Sequence, residues 1–396
     1  MDTVQQQLLH CLAAFARGES STPIVPGFDR WDDLRTLSGH HKLEAVVYGT
    51  VGRTPGFCDN DSQKASQWRQ RAYALSMQQS SKTAALLRLA AALNKSGLPY
   101  AVVKGVICRS LYANSDLRIS ADEDLYIRPE DYASAAAVLE KAGFFLKNGT
   151  PEDVTHWYDG ASGLHIELHG RLLEDPAQEA VFSGFIPVPV TVEGATVYTL
   201  EPTLHLAFLL CHARKHLITG GVGIRTLCDI ALFFKTYRQQ LDMQELNRLL
   251  KQLHCASLLQ HILAIGRDEL GIECTDCTVP YRGEALLSDV LEAGIYGQST
   301  LARRHSGTVT AQQISGKRSL LRTLFPHRAA MEARFPQLRQ HPARLPLYWL
   351  KRLGSYAREV VTAKDNSPAE SLQLGKQRME MLVEYEIIET DSGKTS

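Results

Sequence analysis

Residues 98–143, LPYAVVKGVICRSLYANSDLRISADEDLYIRPEDYASAAAVLEKAG, decide how the chain folds. The apolar run Tyr100–Val103 ends in Lys104-Gly105, and a helix-like segment follows. Arg118 comes next, then Asp122-Glu123-Asp124 leading into Leu125-Tyr126-Ile127. After Pro129 an alanine-rich stretch predicts a helix that Gly143 stops. The order is strand, glycine turn, helix, strand, helix. Residues two apart on a strand point to one face, so Asp122 and Asp124 converge while Glu123 points away. Two carboxylates at one point repel unless a cation lies between them. Mg²⁺ meets that need, because it takes hard oxygen ligands from one or two carboxylates plus substrate phosphates. Lys104-Gly105 is the complement: a glycine after a strand admits close backbone approach, and a helix N-terminus favours an anion. Asp-x-Asp alone is common in surface loops and Lys-Gly alone says little. The ordered unit is the informative feature.

Two later stretches add candidates. Thr155–Tyr158 and Leu164–His169 alternate as half-buried strands should. In the second, His165, Glu167 and His169 share one face, which makes Glu167 a candidate third carboxylate or part of an ordinary exposed strand face. Thr203–His216 is amphipathic, and His205, His212 and His216 fall on one helical stripe. That stripe reads as a polar lining of the cleft in preference to a zinc site, since no H-E-x-x-H is present. Gly220-Gly-Val-Gly223 is a flexible loop with no K-[ST] after it, so the Walker reading fails. Cys274-x-x-Cys277 has no second pair at zinc-ribbon spacing and reads as coincidence.

The segment VVKGVICRSLY…DLRISADEDLYIRPEDYASAAAVLEKAGF resembles the bacterial nucleotidyltransferase-like family of the DNA polymerase β-type superfamily. That family's pattern is an apolar strand, K-G, a short helix, an arginine and G-D-h-D-h-h-h, with an acidic residue before L-H on a later strand. Lys104-Gly105, Arg118, Asp122, Asp124 and Glu167-Leu-His169 fall on those positions. Ala121 replaces the glycine, Glu123 replaces the apolar residue between the aspartates, and Val106 stands where better-studied members have serine. The resemblance implies an α+β fold with a central mixed sheet flanked by helices. It implies transfer of a nucleotidyl group from a nucleoside triphosphate such as ATP, with Mg²⁺ or Mn²⁺ held by Asp122, Asp124 and Glu167. Lys104, Gly105 and Arg118 would bind phosphate. His169, His212, His216, Arg225 and Asp229 match further positions and stand as substrate-side candidates. The acceptor could be a small molecule, a sugar, a protein or an RNA end, and a nucleotide-binding scaffold without turnover is the alternative.

The 396-residue chain has 44% hydrophobic and 22% charged residues, enough for a sizeable core. Lys+Arg and Asp+Glu are 43 each, which argues against a dedicated nucleic-acid coat. No apolar run approaches the ~18 residues of a membrane span. The N-terminus has no basic stretch before its apolar part, so no secretory signal is expected and the chain is expected to be cytoplasmic with its eight cysteines reduced. The organisation reads as a helical region over 1–96 with a packing role, an α/β core over 97–200 and a helical substrate-side domain over 201–300. Within the core, 187–200 predict a hairpin turning at Glu193-Gly194. Residues 301–358 form a basic helical segment, with twelve Lys/Arg against Glu332 alone between Arg303 and Arg358. It could grip a polyphosphate or nucleic acid, lie on an anionic membrane surface through Leu347–Leu350, or simply pack on the core. Residues 359–396 read as an acidic, partly disordered tail.

Overall fold

The computed structural model describes residues 1–58, 61–150, 154–274, 276–277, 280, 284–294, 328, 331, 335–339, 341–362 and 368–388. Its first quarter is helical. Helix α1 (Thr3–Ala16) opens with a reciprocal cap, in which Asp2 Oδ1 accepts from the Gln5 amide and Gln5 Oε1 accepts from the Asp2 amide. Helices α2 (Trp31–His40) and α3 (Glu44–Val51) follow. The 35-residue α4 (Ser62–Ser96) is capped by Asp61 and ends at left-handed Gly97, φ +72°.

The α/β unit then runs β1 (Tyr100–Val102), α5 (Gly105–Arg109), β2 (Glu123–Ile127), α6 (Tyr132–Lys141), β3 (Phe144–Gly149), β4 (Val154–Asp159) and β5 (His165–His169). The sheet order is β1-β2-β5-β4-β3. Only the central β2–β5 contact is parallel, and it sets Asp124 opposite Glu167. β2 is buried along its whole length, which is why its apolar residues run unbroken after Asp124. A short helix, α7 (Pro176–Glu179), leads to the hairpin β6 (Val188–Val192) and β7 (Ala195–Thr199). Its turn places Glu193 and Gly194 at φ +48° and +80°, the two-residue geometry that matches strand twist.

Helices α8 (Pro202–Thr219), α9 (Ile224–Tyr237), α10 (Met243–Gln252), α11 (Ala256–Leu270) and α12 (Glu284–Ala293) complete the body. Residues of the N-terminal helices, the sheet and these helices belong to one apolar cluster, with α1 packed on α9 and α11. The regions separated in the sequence therefore share a core. No described helix is long and apolar enough to cross a membrane.

α13 (Leu345–Thr362) is followed by α14 (Pro368–Glu384), a helix within the tail expected to be acidic and partly disordered. Met381, Leu382, Tyr385, Ile387 and Ile388 are buried, and Arg378 reaches inward to Asp289 at 3.0 Å and to the Leu217 carbonyl at 2.6 Å. Residues 389–396 lie outside the described residues. So does most of the basic segment, including residues 303–327.

Arg378 and Asp289 are 2% and 7% exposed, so removing one charge strands the other away from water. Arg378→Ala is expected to destabilise the chain by about 3 kcal/mol, read as a lower urea midpoint. A midpoint within error of wild type would mean that α14 does not dock this way.

Candidate active site

The site grows from the end of β1. After Val102 the chain turns at Lys104 and enters the short α5 at Gly105, whose φ is +42°. Glu123, the residue between the two aspartates, is 1% exposed and lies beneath that turn. It accepts the Val106 N–H at 2.7 Å and pairs with Arg109, itself 1% exposed. Any Cβ at residue 105 would overlap the Glu123 carboxylate, so glycine is required by space as well as by φ. The Val106 amide at the start of α5 is already satisfied by the protein's own carboxylate.

On the other face, Asp124 is 2% exposed and meets two cations. Lys104 Nζ stands 2.9 Å from Oδ2, as an ion pair whose angles leave that oxygen without a formal hydrogen bond. His169 Nε2 donates to Oδ1 at 3.0 Å. Glu167 Oε2 is 3.7 Å from the same His169 nitrogen. Burial opposes ionisation of Asp124, but Lys104 and His169 outweigh it and hold the carboxyl far below the usual range. Burial likewise opposes charge on His169, yet its hydrogen bonds to the Asp124 and Glu167 carboxylates raise it to about 9. For Asp122 the balance reverses: burial and the Asp124 carboxylate raise its pKa against the pull of Lys104.

Above this pair lies a cleft lined by Lys104, Asp122, Asp124, His212, His216 and Arg225. It runs between the sheet and helices α8 and α9. Lys104 Nζ also lies 3.1 Å from His212 Nε2, and since an ammonium only donates, that nitrogen accepts. Burial and Lys104 hold His212 well below the usual histidine range, and burial and Lys104 bring neighbouring His216 to about 4. The two rings meet edge-on at 4.4 Å. Both imidazoles are therefore neutral beside a cation. His205, expected on the same stripe, instead turns into the core, where Nε2 donates to the Val103 carbonyl at 2.6 Å.

Arg118 and Asp229 reach the cleft wall but engage each other. Arg118 Nε and Nη2 donate to the two Asp229 oxygens at 2.9 and 2.5 Å, and Tyr112 donates to Oδ1 at 2.8 Å. Arg118 was expected to bind phosphate; here its fork is held by a carboxylate, and Nη1 supports Ser120 at 2.8 Å. The loop bearing Asp122 is latched from several sides. Arg225 donates to the Ile119 carbonyl, Gln79 accepts the Ser120 amide at 2.7 Å, and Lys82 approaches the Ser120 and Ala121 carbonyls at 3.4 and 3.5 Å. Gln79 and Lys82 come from α4, in a region read from sequence as packing alone. Gln79 and Thr83, one helical turn apart, are only 1% and 2% exposed, a burial that the residue types alone do not reveal.

The donor atoms fit a divalent ion. Asp124, Glu167 and His169 each offer a ligand atom within 4.8 Å of the others. Asp122, expected as a third ligand, lines the cleft but is outside that group, and His169 takes its place.

A family model described as an uncharacterised nucleotidyltransferase matches residues 29–270. Among solved structures, the chain is similar to an antigenic nucleotidyltransferase-like protein from Paracoccidioides brasiliensis. The two share 17% identity at a TM-score of 0.32, over 50% of this chain and 96% of that one. Among curated proteins nothing matches.

Two outcomes test this geometry. Gly105→Ala is expected to cost about 3 kcal/mol, because it adds an overlapping Cβ at positive φ; an unchanged unfolding midpoint would disprove the Glu123 packing. His169 is raised from 6.5 to about 9 in the fold, so its paired charge stabilises fully below pH 6.5 and that stability is lost as pH rises through about 9. In metal-free protein the wild-type midpoint should fall relative to His169→Gln across that window. Parallel pH profiles would contradict the pairing.

Proposed function

The chain belongs to the uncharacterised nucleotidyltransferase family, and from that premise we propose that it moves a nucleotidyl group from a nucleoside triphosphate to an acceptor hydroxyl or phosphate. The observation that carries this reading is the convergence of Glu167 and His169 on Asp124, which lines the cleft together with Lys104. Asp124 and Glu167 would hold Mg²⁺ or Mn²⁺ with Asp122 beside them, and the ion when bound supplies charge against the triphosphate and polarises oxygen.

The chain's own residues account for the rest. Lys104 is anchored by Asp124 and by His212, whose lone pair keeps the ammonium aimed into the cleft. A phosphate oxygen meeting that ammonium gains a charge-assisted hydrogen bond. His212 and His216 are neutral, so they add donors and acceptors without repelling a cation. Arg225 places a second guanidinium at the cleft wall, and its bond to Ile119 fixes the loop that carries Asp122. Arg118 is a positioning residue, since it acts through Ser120 and Asp229. Glu167, half-buried and facing His169, takes the proton of an acceptor hydroxyl at Oε2. In the resting protein Lys104 and His169 occupy the cationic role around Asp124, so loading the site requires His169 to give up its proton.

A nucleotide-binding protein without turnover is the second reading, and one observation favours it: the Val106 amide is taken by Glu123. One experiment separates the two. The protein is titrated with ATP and GTP in the presence of Mg²⁺ or Mn²⁺, then incubated with α-labelled nucleotide and cell extract. We expect metal-dependent binding and transfer of label. Asp124→Asn and Asp122→Ala should reduce transfer to background, and Glu167→Gln should slow it by about 100-fold, with unchanged circular dichroism. Binding without transfer supports the second reading, and retained transfer in Asp124→Asn overturns the assignment.

A further inference from the structure

A second constellation lies on the same face of the sheet. His156 on β4 is directly opposite Glu167 on β5 in the antiparallel register, and His165 precedes Glu167 by two residues and so shares its face. His156 Nδ1 and His165 Nε2 are 3.0 Å apart, and His156 Nδ1 is 3.6 Å from Glu167 Oε1. The three donor atoms lie within 4.8 Å of one another. Their orientation is fixed by stacking: the Tyr158 ring lies flat on His165 at 4.4 Å and 7°, and the two imidazoles lean on each other at 5.2 Å. The Glu167 oxygens face opposite ways, with Oε1 toward His156 and Oε2 toward His169.

We propose that His156, His165 and Glu167 form a binding site for a transition-metal ion of the Zn²⁺ class, joined through the Glu167 carboxylate to the Asp124 site. Two imidazole nitrogens and one carboxylate suit Zn²⁺, Co²⁺ or Ni²⁺, whereas Mg²⁺ prefers oxygen ligands. Three protein ligands leave a fourth position open to water or a substrate oxygen. The ligands come from adjacent, hydrogen-bonded strands, so the geometry is preformed. The two groups share only Glu167, so this site is defined by β4 and β5 and does not depend on nucleotidyl transfer.

The test uses the full chain, stripped of metal and titrated with Co²⁺ as the spectroscopic stand-in, with Mn²⁺ followed in parallel by electron paramagnetic resonance. Wild type and Asp124→Asn are expected to develop the visible absorption of four-coordinate cobalt and lose it on addition of Zn²⁺. The double variant His156→Gln, His165→Gln should bind Co²⁺ about 100-fold more weakly while Mn²⁺ binding is kept. If the double variant does not fold, His156→Gln alone carries the same expectation. The proposal is overturned if wild type shows no such absorption, if the histidine variants keep the wild-type cobalt affinity, or if Asp124→Asn abolishes the spectrum.

Discussion

The buried Glu123–Arg109 pair is the constraint on which the site depends. Two opposite charges, each 1% exposed, are tolerable in a core only when both are fully hydrogen-bonded. Glu123 meets that condition through Arg109 and the Val106 amide, and Arg109 through Glu123, Ser120 and Thr83. The consequences spread outward. Residue 105 has no room for a side chain, so the turn after β1 is fixed. Ser120 is fixed from below by Arg109 and from the side by Arg118. With both ends of the Arg118–Glu123 segment held, Asp122 and Asp124 are presented to the cleft by the same two residues of backbone alternation that send Glu123 inward.

The cleft's electrostatics follow from burial. Asp124 is too deeply placed to stay ionised alone, and the fold supplies Lys104 and a protonated His169 to compensate it. Those two cations stand where an incoming metal and a phosphate-bound lysine would share the work. The imidazoles across the cleft are kept neutral by burial and by the same Lys104. The resting site is thus close to charge balance, and a divalent ion held by Asp124, Glu167 and His169 would take the place of the His169 proton, which would link its affinity to pH.

Much of the fold was legible in the sequence. The Tyr100–Val103 run, the alternation over 155–158 and 164–169, and Glu193-Gly194 each encode strand or turn locally, and each element forms where its residues imply. Glu167 was legible as a candidate third carboxylate from its strand face and the family resemblance, but that it lies opposite Asp124 comes from the parallel β2–β5 register. What escaped was set by partners distant in sequence. Arg118 reads as a phosphate ligand until Asp229, 111 residues later, closes on it. Glu123 reads as a departure from an apolar pattern until Arg109 is placed under it. Gln79 and Lys82 belong to a helix whose apolar stripe hides their role. The tail over 359–396 reads as acidic and partly disordered, and within it Met381, Leu382 and Ile387 are buried at the end of α14 and just beyond it.

The position of α8 and α9 across the sheet explains why the helical half is part of the site and not an appendage. His205 ties α8 to the end of β1 through the Val103 carbonyl, one residue before Lys104. Asp229 ties α9 to Arg118, and Arg225 ties it to Ile119, three residues before Asp122. α8 thus contributes one internal anchor, His205, and the cleft-facing His212 and His216, while α9 contributes two anchors, Asp229 and Arg225, the second of which also lines the cleft. Because α8 grips the segment that carries Lys104 and α9 the segment that carries Asp122, a shift of α8 against the sheet would move the cation and a shift of α9 the carboxylate.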